Sequence, residues 1–198
     1  MDTPAPLPDM SMPDAERAAV EAHYRRATSI LEYGSGGSTV FAARHSTAPI
    51  ISIESDAAWA DNLKAALIAH GLMRDGVDIR HANIGPTKEW GMPRSHNEWR
   101  RYWGLPVAVW QGPDAPSPDV VLIDGRFRLG CFAATLIHTT RPVTALWDDY
   151  ADRASYAVAE SFVPVAERIG RMARFEVEPT RLGNADFSRL IPFFFSSR

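Results

Sequence analysis

Thr28-Ser29-Ile30-Leu31-Glu32-Tyr33-Gly34-Ser35-Gly36-Gly37-Ser38-Thr39 is the stretch that decides the fold. It opens with a short apolar run ending in an acid, the pattern of a strand buried on both faces. A glycine-rich turn follows, where the backbone can bend tightly and approach a ligand closely. Its amides open onto the next helix N-terminus, a place that favours a carboxylate or phosphate.

The pattern repeats outward from there. Ile50-Ile51-Ser52-Ile53-Glu54, Val120-Val121-Leu122-Ile123-Asp124 and Val143-Thr144-Ala145-Leu146-Trp147-Asp148 are further apolar runs ending in acids. Val77-Asp78-Ile79-Arg80-His81 alternates, which places it nearer a sheet edge and makes His81 structural. Helices are expected between these runs, at 13 to 26, 56 to 70 and 126 to 139. Ser11 offers a cap for the first, Ser55 or Asp56 for the second, and Gly71 a stop. Phe175 to Pro179 and Phe187 to Phe195 flank Arg181-Leu182-Gly183-Asn184 and read as a terminal hairpin. The expected fold is therefore α/β, a Rossmann-like doubly wound, mostly parallel seven-stranded sheet with a C-terminal antiparallel hairpin. Residues 1 to 12, with four prolines in 1 to 13, are expected to form a flexible tail ahead of a single domain at 13 to 198. Residues 82 to 118 exceed an ordinary connection and carry five tryptophans and tyrosines, so they form a lid or a packed insertion.

The chain has 198 residues, 45% hydrophobic and 23% charged, which suits one globular core. A net charge of -3 gives no general attraction to nucleic acid or to membranes. Arg94, Arg100 and Arg101 read as a solvated patch beside tryptophans. Cys131 is the sole cysteine, which excludes an internal disulfide and a cysteine metal cluster. With no secretory or membrane-spanning segment, the chain is expected in the cytoplasm. No Ser-His-Asp set and no Lys-Ser or Lys-Thr phosphate loop is legible, and His96 offers a general base without a visible partner.

In an open parallel sheet, ligands bind beyond the C-terminal strand ends. Glu32, Glu54, Asp124 and Asp148 all fall there on this reading. Such a rim of negative charge is costly unless something cationic or hydrogen-bonding sits on it. Glu54 follows Gly34 by 20 residues, a spacing that suits an acid accepting hydrogen bonds from ribose hydroxyls. The dinucleotide fingerprint is incomplete, because its last glycine is Thr39.

Glu32, Gly34 and Gly36, with Ser38 at the third glycine position, resemble the first motif of class I S-adenosylmethionine-dependent methyltransferases. The resemblance spans about residues 27 to 195 without the insertion. It implies that the segment Glu32 to Ser38 forms the cofactor loop, with Gly34, Ser35 and Gly36 along the methionine part. Glu32 either touches the cofactor or orders the loop. Glu54 is then expected on the ribose, Ala82, Asn83 and Ile84 near the adenine, and Asp124 and Gly125 facing the sulfonium and the substrate. Asp124 is the expected catalytic residue. Asp124, Asp148 and Asp149 further resemble the acidic set of Mg-dependent small-molecule O-methyltransferases, and three carboxylates could share such a cation. The alternative is that Asp148-Asp149-Tyr150 caps a helix and faces water. The implied function is methyl transfer to a small molecule, with oxygen as the acceptor atom. A nicotinamide-dependent oxidoreductase and a non-catalytic ligand-binding module stand beside it.

Overall fold

The computed structural model describes residues 5–197. The chain opens with helix α1 (Asp14–Tyr24), then alternates β1 (Ile30–Tyr33), α2 (Gly37–His45), β2 (Ile50–Glu54), α3 (Ala57–Ala69) and β3 (Val77–His81). The insertion follows, with a small antiparallel hairpin of β4 (Thr87–Lys88) and β5 (Met92–Pro93), and a short helix α4 (Gly104–Val107). Strand β6 (Val120–Ile123), helix α5 (Arg128–His138) and β7 (Val143–Trp147) resume the alternation. The chain ends with β8 (Glu167–Ile169), β9 (Met172–Val177) and α6 (Asn184–Leu190).

The seven-stranded sheet has the order β3-β2-β1-β6-β7-β9-β8. All pairs from β3 through β7 are parallel, while β9 runs antiparallel to both β7 and β8. The near-continuous apolar runs follow from burial on both faces. Side chains alternate along each strand. Ile30, Ile50, Ile79, Leu122 and Leu146 pack under α1, α2 and α3. Leu31, Tyr33, Val121, Ile123 and Trp147 pack with α5 and the insertion.

The terminal hairpin lies earlier than the sequence suggests. Its strands are β8 and β9, joined through Gly170, whereas residues 187 to 195 are helical. The phenylalanine-rich run reads as β from composition, but Leu190 and Phe193 are buried three apart, and Pro192 stands at a 3₁₀-helix start. Asp186 accepts from the Gly183 amide (3.0 Å), so the supposed turn is instead a helix start.

Residues 5 to 12 lie against the domain; residues 1 to 4 are outside the described part. Met10 and Met12 are buried, and Arg17 donates to both their carbonyls (3.0 and 3.3 Å). Pro13, not Ser11, precedes α1. Asp56 caps α3 by accepting from the Trp59 amide (3.0 Å). The insertion is packed more than open: Tyr102, Leu105, Val109 and Trp110 are buried, and Trp110 Nε1 donates to the Tyr33 hydroxyl (2.7 Å). Cys131 is buried. His81, the last residue of edge strand β3, is exposed, not structural. No helix among the described residues is long and apolar enough to cross a membrane.

Candidate functional site

Strand register assembles the site. Tyr33 is level with Ile53 and Ile123, and Ile123 with Trp147. The next residue on each strand is Gly34, Glu54, Asp124 or Asp148, so these four emerge on one rim. Glu32 sits two residues back from this rim, opposite Ser52 and Leu122. It shares the Ile30 face and points under α1 and α2. There its carboxylate accepts from the Tyr24 hydroxyl (2.7 Å) and the Thr39 hydroxyl (2.6 Å), fully buried. Burial raises the Glu32 pKa, and these hydroxyls oppose the rise. Thr39 Oγ1 in turn accepts from the Gly36 amide (3.0 Å). Of the two roles open to Glu32, the geometry matches loop ordering. Ser38 is buried beside this network and Ile84 lies in the core, so both are turned from the rim.

The loop itself is fixed by close approach. Gly34 has φ +104°, and a Cβ there would lie 2.7 Å from the Gly125 amide nitrogen. Both the Asp124 and Gly125 amides donate to the Tyr33 carbonyl (2.9 and 2.6 Å). Gly34→Ala is therefore expected to cost roughly 2–4 kcal/mol, from a left-handed backbone and an overfilled contact. Gly36→Ala, whose Cβ meets nothing within 4 Å, is the control. Equal urea midpoints for the two variants would disprove this account of the loop.

Glu54 is held from one side. Its Oε1 accepts from the Ser55 amide (2.7 Å), the Ser55 hydroxyl (3.2 Å) and the Asp56 amide (2.9 Å). Among the described residues its Oε2 accepts only from the Ser35 amide, at 3.2 Å, and keeps spare acceptor capacity. Ser35 is braced by the Ser52 hydroxyl (2.7 Å) and by the Trp59 indole N–H on its carbonyl (2.8 Å). The insertion reaches this acid: Ser55 Oγ donates to the Gly91 carbonyl (3.0 Å), and a Cβ on Gly91 would overlap that hydroxyl. Asn83 is exposed and accepts from the Gly85 amide (3.0 Å).

At the β6 and β7 ends, arginines neutralise the acids. Buried Arg128 donates to the carbonyls of Gly125 (2.9 Å), Asp124 (2.8 Å) and Asp148, and pairs with Asp124 (3.2 Å) and Asp149 (3.0 Å). Arg171 forks onto Asp148 (2.9 and 2.7 Å) and reaches Asp149 (3.2 Å). Arg153 also pairs with Asp149 (3.2 Å). Asp148 is buried under its guanidinium, and among the described residues no group of three or more metal-ligating side chains converges. The Mg set expected at Asp124, Asp148 and Asp149 thus does not fit: guanidinium groups occupy the directions a divalent ion needs. None of these three arginines is marked by a local sequence motif, although Arg128 stands four residues after Asp124.

Asp124 differs from its neighbours. Its side chain is 34% exposed at the rim. Burial pushes its pKa up to about 7, Arg128 opposes, and Asp148 and Asp149 push further upward. The three non-glycine residues with left-handed backbone among those described, Trp90, Phe127 and Asp149, all surround this rim. Strain concentrated in this way is common at functional sites. The rim thus offers spare carboxylate acceptors on Glu54 and Asp124, a flat glycine floor between them, and an acid that changes charge near neutral pH.

Known proteins were compared with this arrangement. No family model matches the chain, and no curated protein matches it. Among solved structures, a methyltransferase-like protein from Silicibacter pomeroyi DSS-3 is 45% identical, with a TM-score of 0.90 over 96% of this chain and 98% of that one. An O-methyltransferase from Bacillus cereus, in complex with SAH, is 14% identical with a TM-score of 0.59 over 87% and 84% of the two chains. An S-adenosylmethionine-dependent O-methyltransferase from Thermotoga maritima is 10% identical with a TM-score of 0.57 over 88% and 69%. The latter two share the fold alone. The identity with the Silicibacter protein over nearly both whole chains places the chain in the family of methyltransferase-like proteins.

Proposed function

We propose that the chain transfers a methyl group from S-adenosylmethionine to the oxygen of a small-molecule acceptor. The observation that carries this is the pairing of Glu54 Oε2, with one long bond among the described residues, and the partly exposed Asp124 carboxylate across the Gly34–Gly125 floor. Glu54 accepts from the ribose hydroxyls, while Gly34, Ser35 and Gly36 line the methionine part. Asn83, just past β3 and preceded by Ala82 on the same loop, lies by the adenine, and Gly125 allows close approach of the reacting groups. When bound, the cofactor supplies an electrophilic methyl group on a cationic sulfur.

The chain's own residues do the rest. Asp124 stabilises that positive charge and takes the proton lost by the acceptor hydroxyl, a role suited to an acid titrating near 7. Arg128 holds Asp124 in place. The remaining contribution is alignment and exclusion of water, since methyl transfer is an in-line displacement. No step is routed through a metal, because Asp148 and Asp149 are committed to arginines. The likeness to a methyltransferase-like protein favours this reading over the nicotinamide one. We further propose cytoplasmic residence, where a lone buried thiol such as Cys131 stays reduced.

The test is calorimetric titration with S-adenosylmethionine and S-adenosylhomocysteine. Glu54→Gln is expected to weaken both by about 1–3 kcal/mol, the scale of a hydrogen bond to a charged group. Unchanged affinity in the variant, or no binding by the wild type, would sink the assignment.

A further inference from the structure

We propose that the cleft between the Lys88–Met92 hairpin and the loop after β6 binds an acceptor carrying a carboxylate on a flat apolar body. Arg126 and Lys88 hold the anion, and the Trp90 indole covers the body. This rests on the methyl-transfer reading above and names the acceptor's class. The cleft measures about 440 Å³ and is lined by Lys88, Glu89, Trp90, Met92 and Arg126. Arg126 stands two residues after Asp124, so the cleft adjoins the rim.

Charge pairing singles out Arg126. Arg128, Arg153 and Arg171 are each matched by aspartates. Arg126 is half-buried, yet forms no ion pair among the described residues. Its Nε–H donates to the Trp90 carbonyl (2.8 Å), which leaves the outer guanidinium edge for another acceptor. A bidentate carboxylate matches that edge. Burial first, then the charges of Arg128 and Arg153, presses the Arg126 pKa down, and a bound anion would relieve this. Lys88 adds a second unpaired cation among the described residues, on an exposed strand. Glu89, the one acid in the lining, makes no ion pair with either among those residues.

Trp90 supplies the apolar surface. Its side chain is 83% exposed, and its backbone is left-handed at φ 61°. An indole so exposed forfeits its burial energy, and a bulky residue there carries strain. The turn is nonetheless pinned on both sides, by Arg126 on the Trp90 carbonyl and by Ser55 on the Gly91 carbonyl. A rigid, uncovered aromatic next to two uncompensated cations matches a planar anionic ligand.

The test uses 4-hydroxybenzoate and its neutral analogue 4-hydroxybenzamide, titrated by calorimetry with and without saturating S-adenosylhomocysteine. The carboxylate is expected to bind at least about tenfold tighter than the amide. Arg126→Gln should weaken it about tenfold to a hundredfold, the range for a hydrogen bond to a charged group. Lys88→Gln, an exposed change that leaves folding alone, should weaken it less. Trp90→Ala should weaken both probes alike. Equal binding of the two probes, binding of neither, or undiminished carboxylate binding by Arg126→Gln would overturn the proposal. Carboxylate preference without S-adenosylhomocysteine binding would keep the cleft and remove the methyl-transfer reading. The converse result would remove only the cleft assignment.

Discussion

Arg128→Met is expected to cost about 3–5 kcal/mol of folding stability, the scale for breaking a buried charge network by removing one partner. The guanidinium is almost fully buried and is shared by three carbonyls and two carboxylates. It ties the end of β6 to the end of β7. Methionine fills similar space but satisfies none of those oxygens. The carbonyls of Gly125, Asp124 and Asp148 would lose their Arg128 donor in a site water barely reaches. Asp149 retains Arg153 and Arg171, and Asp148 retains Arg171, so the loss concentrates at Asp124 and the backbone. Urea denaturation at pH 7.5 measures it. A loss under about 1 kcal/mol, the range of an exposed pair, would mean that Arg128 is not the hub.

Asp124→Asn should separate the charge of this acid from its shape, through two pH dependences of opposite sign. In the wild type, affinity for cationic S-adenosylmethionine should fall as pH drops below about 7, because the carboxylate takes up a proton. One proton linked to binding allows at most about a hundredfold loss between pH 7 and pH 5. The neutral product S-adenosylhomocysteine should show little of this, and the asparagine variant should be flat for both.

Stability runs the other way. The folded-state pKa lies above the ordinary value of 3.8, so the folded chain binds the proton more tightly than the unfolded one. The contribution is present below about pH 4 and is lost as pH rises towards 7. At pH 8 the variant should therefore melt higher than the wild type, and at pH 4 it should lose that advantage. Stability gained on replacing a functional acid is a known trade. A wild-type preference for the cation that does not change with pH would show that Asp124 does not face the sulfonium.

The alternation of strands and helices, the parallel pairing and the glycine turn were all legible in the sequence. These are local properties: an apolar run of four or five residues, a helical period, or a cluster of glycines after a strand. It also placed Glu54 and Asp124 at the rim, because strand ends follow from where an apolar run stops. Tertiary structure alone decided which acids stayed free. Glu32 ends its run like the others, but strand register puts it two residues below the rim, where Tyr24 and Thr39 enclose it. Asp148 looks open in sequence, yet Arg171 arrives 23 residues later on an antiparallel strand's turn and takes it. The phenylalanines after Asn184 became a helix because Leu190 and Phe193 found cover on α5 and its surroundings, not a strand partner. Charge pairing and burial depend on residues brought together from far apart in the chain, and no local pattern encodes them.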